Sequence, residues 1–243
     1  MLKQKFMNYF SSLREDIIKQ NDELIWSEVW HDTIKGIKWW DNDIPSISPG
    51  RWAVGYNYLY VMTRILNDFT PLRILEFGLG ISTTLISKYF STISETKNCY
   101  HMVMEHDDDW INFYVKSHPI SCTTKIRKQK LITEKLTDGR ILYRYQDISK
   151  DVLGMNFQVI SIDAPFGGDM NSRADILKFL PEILDDEFVI IIDDANRKAE
   201  KETVEKIRFS LSESNIETAY AVYRGMTDVA VIASQGNRFL CSL

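Results

Sequence analysis

With 243 residues, 44% hydrophobic and 26% charged, the chain has the composition of an ordinary folded domain and the length for one substantial α/β unit. A formal net charge of −5 argues against a broad nucleic-acid-binding surface, and no apolar run approaches the roughly 20 residues that span a bilayer. Cys99, Cys122 and Cys241 are odd in number, widely spaced and without a CxxC pair, and the N-terminus has no secretory apolar core; disulfide and zinc frameworks are not expected, and a cytoplasmic setting is.

Apolar positions recur at helical spacing through 5–40 (Phe6, Tyr9, Phe10, Leu13, Ile17, Ile18, then Leu24, Trp26, Val29, Trp30). They predict one or two amphipathic helices within an N-terminal extension over residues 1–50. Such helices can pair two copies into a homodimer, cover a site or simply pack on the domain. Trp39 and Trp40 lead into a Pro-, Ser- and Gly-containing loop ending at Gly50. The main domain is expected over 51–243. It opens with a helix from about Arg51 to Asn67 that must stop before Pro71. Strand patterns follow at 72–77, 101–105, somewhere in 130–146, and at 158–163, 188–193, 217–224 and 227–233. Helical patterns lie between them at 82–90, 108–117, 171–184 and 196–212. Thr137-Asp138-Gly139-Arg140 looks like a hairpin turn, so either flanking run can be the third strand, while the basic run 124–130 reads as a solvated strand edge or loop. This alternation predicts an α/β fold: a Rossmann-like, doubly wound, seven-stranded sheet, mainly parallel, ending in an antiparallel hairpin about Gly225-Met226.

In such a sheet, ligands bind beyond the carboxyl ends of the strands where the winding reverses. The first strand ends Leu75-Glu76-Phe77-Gly78-Leu79-Gly80, and Ser82 and Thr83 then open a helix. Glycines at that bend let a ligand approach the backbone, and the hydroxyls can cap the helix whose N-terminal amides face the same crevice. The second strand ends at Glu105, placed where an acid can accept the two hydroxyl protons of a ribose. The third glycine of a dinucleotide fingerprint is replaced by Ser82-Thr83, which counts against a nicotinamide-dependent oxidoreductase.

With these residues the chain resembles class I S-adenosylmethionine-dependent methyltransferases over roughly 70–235. The resemblance implies a cofactor loop at Glu76–Gly80 and a ribose-binding acid at Glu105. The full set of cofactor contacts expected is Glu76, Gly78, Gly80, Ser82, Thr83, Glu105, His106 and Asp163.

Two later strand ends narrow the chemistry. One reads Asp163-Ala164-Pro165-Phe166-Gly167 and the next Asp193-Asp194-Ala195-Asn196-Arg197-Lys198-Ala199-Glu200. If these strands are neighbours, Asp163, Asp193 and Asp194 crowd negative charge together, which is costly unless one is protonated or a cation sits between them. Oxygen-only donors suit Mg2+ or Mn2+. Metal-dependent O-methyltransferases of the catechol and macrocin types are similar in layout. The wording is closer to the glucuronoxylan 4-O-methyltransferase (polysaccharide-biosynthesis) family. That resemblance implies a sugar hydroxyl as acceptor. Asp163 and Asp194 are the expected catalytic residues and Asn196, Arg197 and Trp52 those expected to meet substrate, although Arg197 can equally stand exposed on its helix and Trp39, Trp40 and Trp52 can be packing anchors between the N-terminal helices and the core. Ala164 and Pro165 stand where the catechol and macrocin types carry a Lys or Asp after the first metal acid, so Asp169 and His106 are the alternatives for a base. His31, His101 and His118 show no ligand spacing and read as structural. Another small anionic acceptor, or a cofactor-binding module without turnover, stays open.

Overall fold

The computed structural model describes residues 2–40, 47, 49, 53–93 and 99–243. In chain order its elements are α1 (Leu2–Ile34), α2 (Tyr56–Arg64), β1 (Arg73–Phe77), α3 (Ile81–Ile93), β2 (Tyr100–Glu105), α4 (Asp108–Ser117), β3 (Thr124–Lys128), β4 (Leu131–Lys135), β5 (Ile141–Tyr145), α5 (Ser149–Val152), β6 (Phe157–Ile162), β7 (Leu184–Ile192), α6 (Lys198–Glu213), β8 (Thr218–Tyr223) and β9 (Val229–Ser234). Seven strands form one sheet in the order β3-β2-β1-β6-β7-β9-β8, parallel except for β9, which runs antiparallel to both neighbours. The chain winds outward from β1 to β3, then crosses back to β6 on the other side of β1. The carboxyl ends of β1 and β6 therefore flank the switch point where such sheets open a crevice.

Period-two alternation builds a core on each face of the sheet. Along β7, Val189 and Ile191 join a layer with Trp30, Tyr58, Leu59, Tyr89 and Phe90, while Phe188, Ile190 and Ile192 join Phe77, Met104, Phe157, Ile207 and Leu211 beneath α6. The N-terminal pattern forms a single helix. Its C-terminal half is tied down: Trp30 is buried and donates to Thr63 Oγ1 (3.0 Å), Trp26 donates to the Arg224 carbonyl (2.6 Å), and the Tyr56 N–H donates to Glu23 (2.9 Å). The expected domain boundary near residue 50 lies outside the described residues, as do Arg51 and Trp52.

Two expectations are corrected. The third parallel strand is Thr124–Lys128, the basic run itself, and not part of 130–146; the latter folds as a separate β4–β5 hairpin through the expected turn, with Gly139 at φ +88°. As an edge strand β3 has one hydrogen-bonded neighbour, so Lys125, Arg127 and Lys128 can face water and no apolar run marks it. Segment 171–184 is not a helix beyond a short 3-10 turn at Asp175–Lys178. Asn171 (φ +44°) and Arg173 (φ +61°) adopt left-handed backbone, which a right-handed helix cannot contain. The helix expected from Arg51 is described from Tyr56, and its last stretch, Ile65–Phe69, widens into a π-turn before Pro71.

Candidate functional site

Strand register brings the predicted residues to one rim. Met104, Phe77, Ile162 and Ile192 pair across β2, β1, β6 and β7. The next residue of each strand, Glu105, Gly78, Asp163 and Asp193, therefore stands beside the others at the carboxyl edge. Gly78 is at φ +104°, and a Cβ there would lie 3.1 Å from the Ala164 Cβ, so a side chain is excluded twice over. At Gly80 a Cβ would meet nothing within 4 Å, so this side of the bend opens on free space.

The bend is held from several directions. The Leu79 N–H donates to Glu105 Oε2 (3.0 Å) and the Gly80 N–H to Thr83 Oγ1 (3.0 Å). Trp110 Nε1–H donates to the Leu79 carbonyl (2.7 Å) and the Tyr114 hydroxyl to the Gly80 carbonyl (2.7 Å). Its carbonyls are thus engaged by α4, while the first amides of α3 (Ile81, Ser82, Thr83) have no acceptor within their own helix. Trp110 and Tyr114 were invisible to motif reading, because nothing in a helix sequence says which loop it will brace.

Both acids of the cradle have partners of their own. Glu76 is buried, accepts from Ser82 Oγ (2.5 Å) and lies 2.9 Å from His101 Nε2. His101 is thereby buried between Glu76 and Thr124 Oγ1 (3.2 Å). Glu105 accepts three backbone N–H groups, from Leu79, His106 (2.6 Å) and Asp107 (3.1 Å). That leaves about one of a carboxylate's four lone-pair sites for a ligand. His106 stacks edge-on to Phe166 (5.0 Å), which is 60% exposed and also meets Tyr143 of β5 (6.2 Å). An aromatic group thus stands at the rim beside Asp163.

The acids Asp163, Asp193 and Asp194 do converge, with one carboxylate oxygen from each within 4.8 Å of the others. Their counter-charge comes from the chain itself. Arg173, with a 5% exposed side chain, places Nη1 3.1 Å from Asp163 Oδ1 and Nη2 2.8 Å from Asp194 Oδ2. Arg197 adds a second contact to Asp194 Oδ2 (2.8 Å). A divalent cation suits these oxygens in kind, but a guanidinium already spans two of the three, so the residues as placed do not fit a metal ion. Arg173 was hidden because its segment read as a helix. Asp194 itself sits at φ +59°, so left-handed backbone recurs at Asn171, Arg173 and Asp194 around one cluster, a clustering of strain found at functional sites.

Burial raises Asp163 most, aided by Asp193, Asp194 and Glu76 and opposed by Arg173; its carboxyl is pushed up to about 8. Burial and Asp194 also raise Asp193, which accepts from Thr227 Oγ1 (3.0 Å). Asn196 is turned to the backbone, accepting from the Asp228 N–H (3.3 Å), and Arg197 is half-exposed at the start of α6. Asp169 is committed to the Ile141 N–H (2.8 Å). Trp52, expected to meet substrate, lies outside the described residues. Trp39 and Trp40 pack on Tyr89 (5.5 Å) and Trp30 (5.7 Å) as anchors between helices. Among the described residues no helix is long and apolar enough to cross a membrane.

No protein-family model matches the chain, and no curated protein matches it in sequence. Solved structures that align with it include a precorrin-6y C5,15-methyltransferase from Geobacter metallireducens (11% identity, 74% of this chain, 88% of that one, TM-score 0.46). A spermidine synthase from Thermotoga maritima aligns at 14% identity over 68% of this chain and 54% of its own (TM-score 0.41). The plantazolicin methyltransferase BpumL, solved with a desmethyl substrate analogue and SAH, aligns at 13% identity over 73% and 84% (TM-score 0.39). At these levels the likeness adds nothing to what the strand order and the rim already state.

Proposed function

We propose that the chain is a methyltransferase using S-adenosylmethionine, transferring the methyl group to a hydroxyl of a small molecule, a saccharide or saccharide precursor. The observation that carries this reading is the single rung of Glu105, Gly78, Asp163 and Asp193 at the switch point, with open space before Gly80. The bend is rigid before any ligand arrives, so little ordering remains to be done on binding. Gly78 and Gly80 admit the nucleoside to the backbone, the α3 amides favour its carboxylate end, and the remaining acceptor capacity of Glu105 suits a ribose hydroxyl. When bound, the sulfonium supplies an electrophilic methyl group.

The rest falls to side chains. In-line displacement needs the acceptor oxygen held close in a site short of water. Asp163, between Arg173 and the rim, is the proton acceptor in its ionised form, which Arg173 favours; burial raises its carboxyl to about 8, so that this form is a stronger base than an ordinary carboxylate and is populated more as pH rises. Asp194 holds Arg173 and Arg197, and the Arg197 guanidinium can meet an anionic group of the acceptor. The saccharide assignment rests on the wording of 163–167 and 194–200 and on the exposed Phe166 beside His106, an apolar plane suited to a sugar face.

Calorimetric titration with S-adenosylmethionine and with its demethylated product tests the first step: binding is expected for both, and none for NAD. Wild-type protein that is folded yet binds neither overturns the proposal. Methyl transfer to a panel of sugars, nucleotide sugars and phosphorylated small molecules tests the second. Binding without turnover on any acceptor supports a module that only holds the nucleoside.

A further inference from the structure

The N-terminal half of α1 carries a face that the domain leaves uncovered. Phe6 (57% exposed), Phe10 (63%), Leu13 (38%), Ile17 (52%) and Leu24 (65%) recur at steps of four, three, four and seven, with Gln20 at the one heptad position between Ile17 and Leu24 that is not apolar. Met7 (60%) and Ile18 (47%) flank this line. A repeat of 3.5 residues is the seam that another helix fills, and a lone polar residue in such a seam serves to fix register.

We propose that this seam pairs with the same seam of a second copy, making the protein a two-fold homodimer through α1. Three observations favour a second copy. The surface is of the right size: with Tyr9 (62%), seven exposed apolar side chains between Phe6 and Ile18, at roughly 100 Å² each, offer about 700 Å² per copy against the roughly 800 Å² per partner of a stable interface. The seam is self-complementary. Its first turns carry Phe6 and Phe10 and its later turns Leu13 and Ile17. An isologous contact can therefore set the aromatic half of one helix on the aliphatic half of the other. The flanking charges are mixed, with Arg14, Glu15, Asp16, Lys19 and Asp22 interleaved. A bilayer-seated helix instead needs a predominantly basic polar face. The C-terminal half of α1 cannot move to cover the seam, since Glu23, Trp26 and Trp30 are fixed to the domain.

The test is the solution mass of the full chain by light scattering or sedimentation equilibrium. Wild type is expected at twice 28.3 kDa, falling toward the monomer mass on dilution. Phe10→Glu/Ile17→Glu is expected at the monomer mass with at least a 100-fold weaker dimer constant and an unchanged near-ultraviolet spectrum, because both positions are exposed in the single chain. The milder Phe10→Ala, expected to weaken association without adding charge, covers the case in which the double variant misfolds. A wild-type monomer at tens of micromolar overturns the proposal. So does a dimer that both variants leave intact. Wild-type chain that stays monomeric but sediments with phosphatidylserine vesicles, and loses this in Phe10→Glu/Ile17→Glu, assigns the seam to a membrane surface and overturns it equally.

Discussion

Replacing Arg173 by methionine removes the cation that two carboxylates, Asp163 and Asp194, share. Arg173 is 5% exposed on its side chain and contacts Asp194 (8%) and Asp163 (27%). Deleting one partner of a buried pair costs about 3–5 kcal/mol, because the remaining charge is left without compensation. The Asp194 leg carries most of this, since its side chain is the more deeply buried of the two. A loss of this size lowers Tm by roughly 10 °C in a chain of this length. The pH dependence gives the sharper check. Asp163 is held above its ordinary 3.8, at about 8, chiefly by burial. Between those values the folded chain keeps a proton that the unfolded chain has released, so this group's contribution to stability falls as pH rises through the window. Without Arg173, which lowers it, the Asp163 carboxyl rises further and the fall steepens. Thermal or urea unfolding at pH 5, 6.5 and 8 should show a deficit that is smallest at pH 5 and largest at pH 8, with Asp194→Asn in the same chain restoring at least half of it. An Arg173→Met chain as stable as wild type at pH 8, or a deficit indifferent to pH, refutes the assignment of Arg173 as the counter-charge.

Four further outcomes follow from the same geometry. Gly78→Ala should lower stability by about 1–3 kcal/mol through left-handed strain and the Ala164 contact. Gly80→Leu should unfold with wild-type Tm yet lose S-adenosylmethionine binding in calorimetry; full binding by the leucine variant would place the nucleoside elsewhere. EDTA should leave wild-type Tm unchanged, whereas Arg173→Met should gain thermal stability with millimolar Mg2+ or Mn2+, as the freed oxygens Asp163, Asp193 and Asp194 take a cation. Tyr114→Phe should cost about 1–3 kcal/mol of stability by deleting the bonds of its hydroxyl to the Gly80 carbonyl and to Thr84 Oγ1. It should also weaken S-adenosylmethionine measurably, and an unchanged affinity would show that the brace is dispensable.

The sequence by itself determined six of the seven strands of the sheet, the switch point and the rim. Apolar runs of fixed period ending in Glu105, Asp163 and Asp193, with glycines after Phe77, can only form buried strands whose tips gather at one edge, because strand periodicity and burial are local properties of the chain. Tertiary structure alone decided what those tips touch. Whether Asp163 and Asp194 meet a metal or a guanidinium depends on the path of 164–175, where left-handed Arg173 returns to the rim from a segment patterned like a helix. Whether Glu105 is free for a ligand depends on three amides from two loops. The basic run of β3 reads only as a strand edge or loop for a related reason: a strand that is paired on one side only need not look apolar. Contacts between residues far apart in sequence leave no period to read, so the site's skeleton was legible and its electrostatics were not.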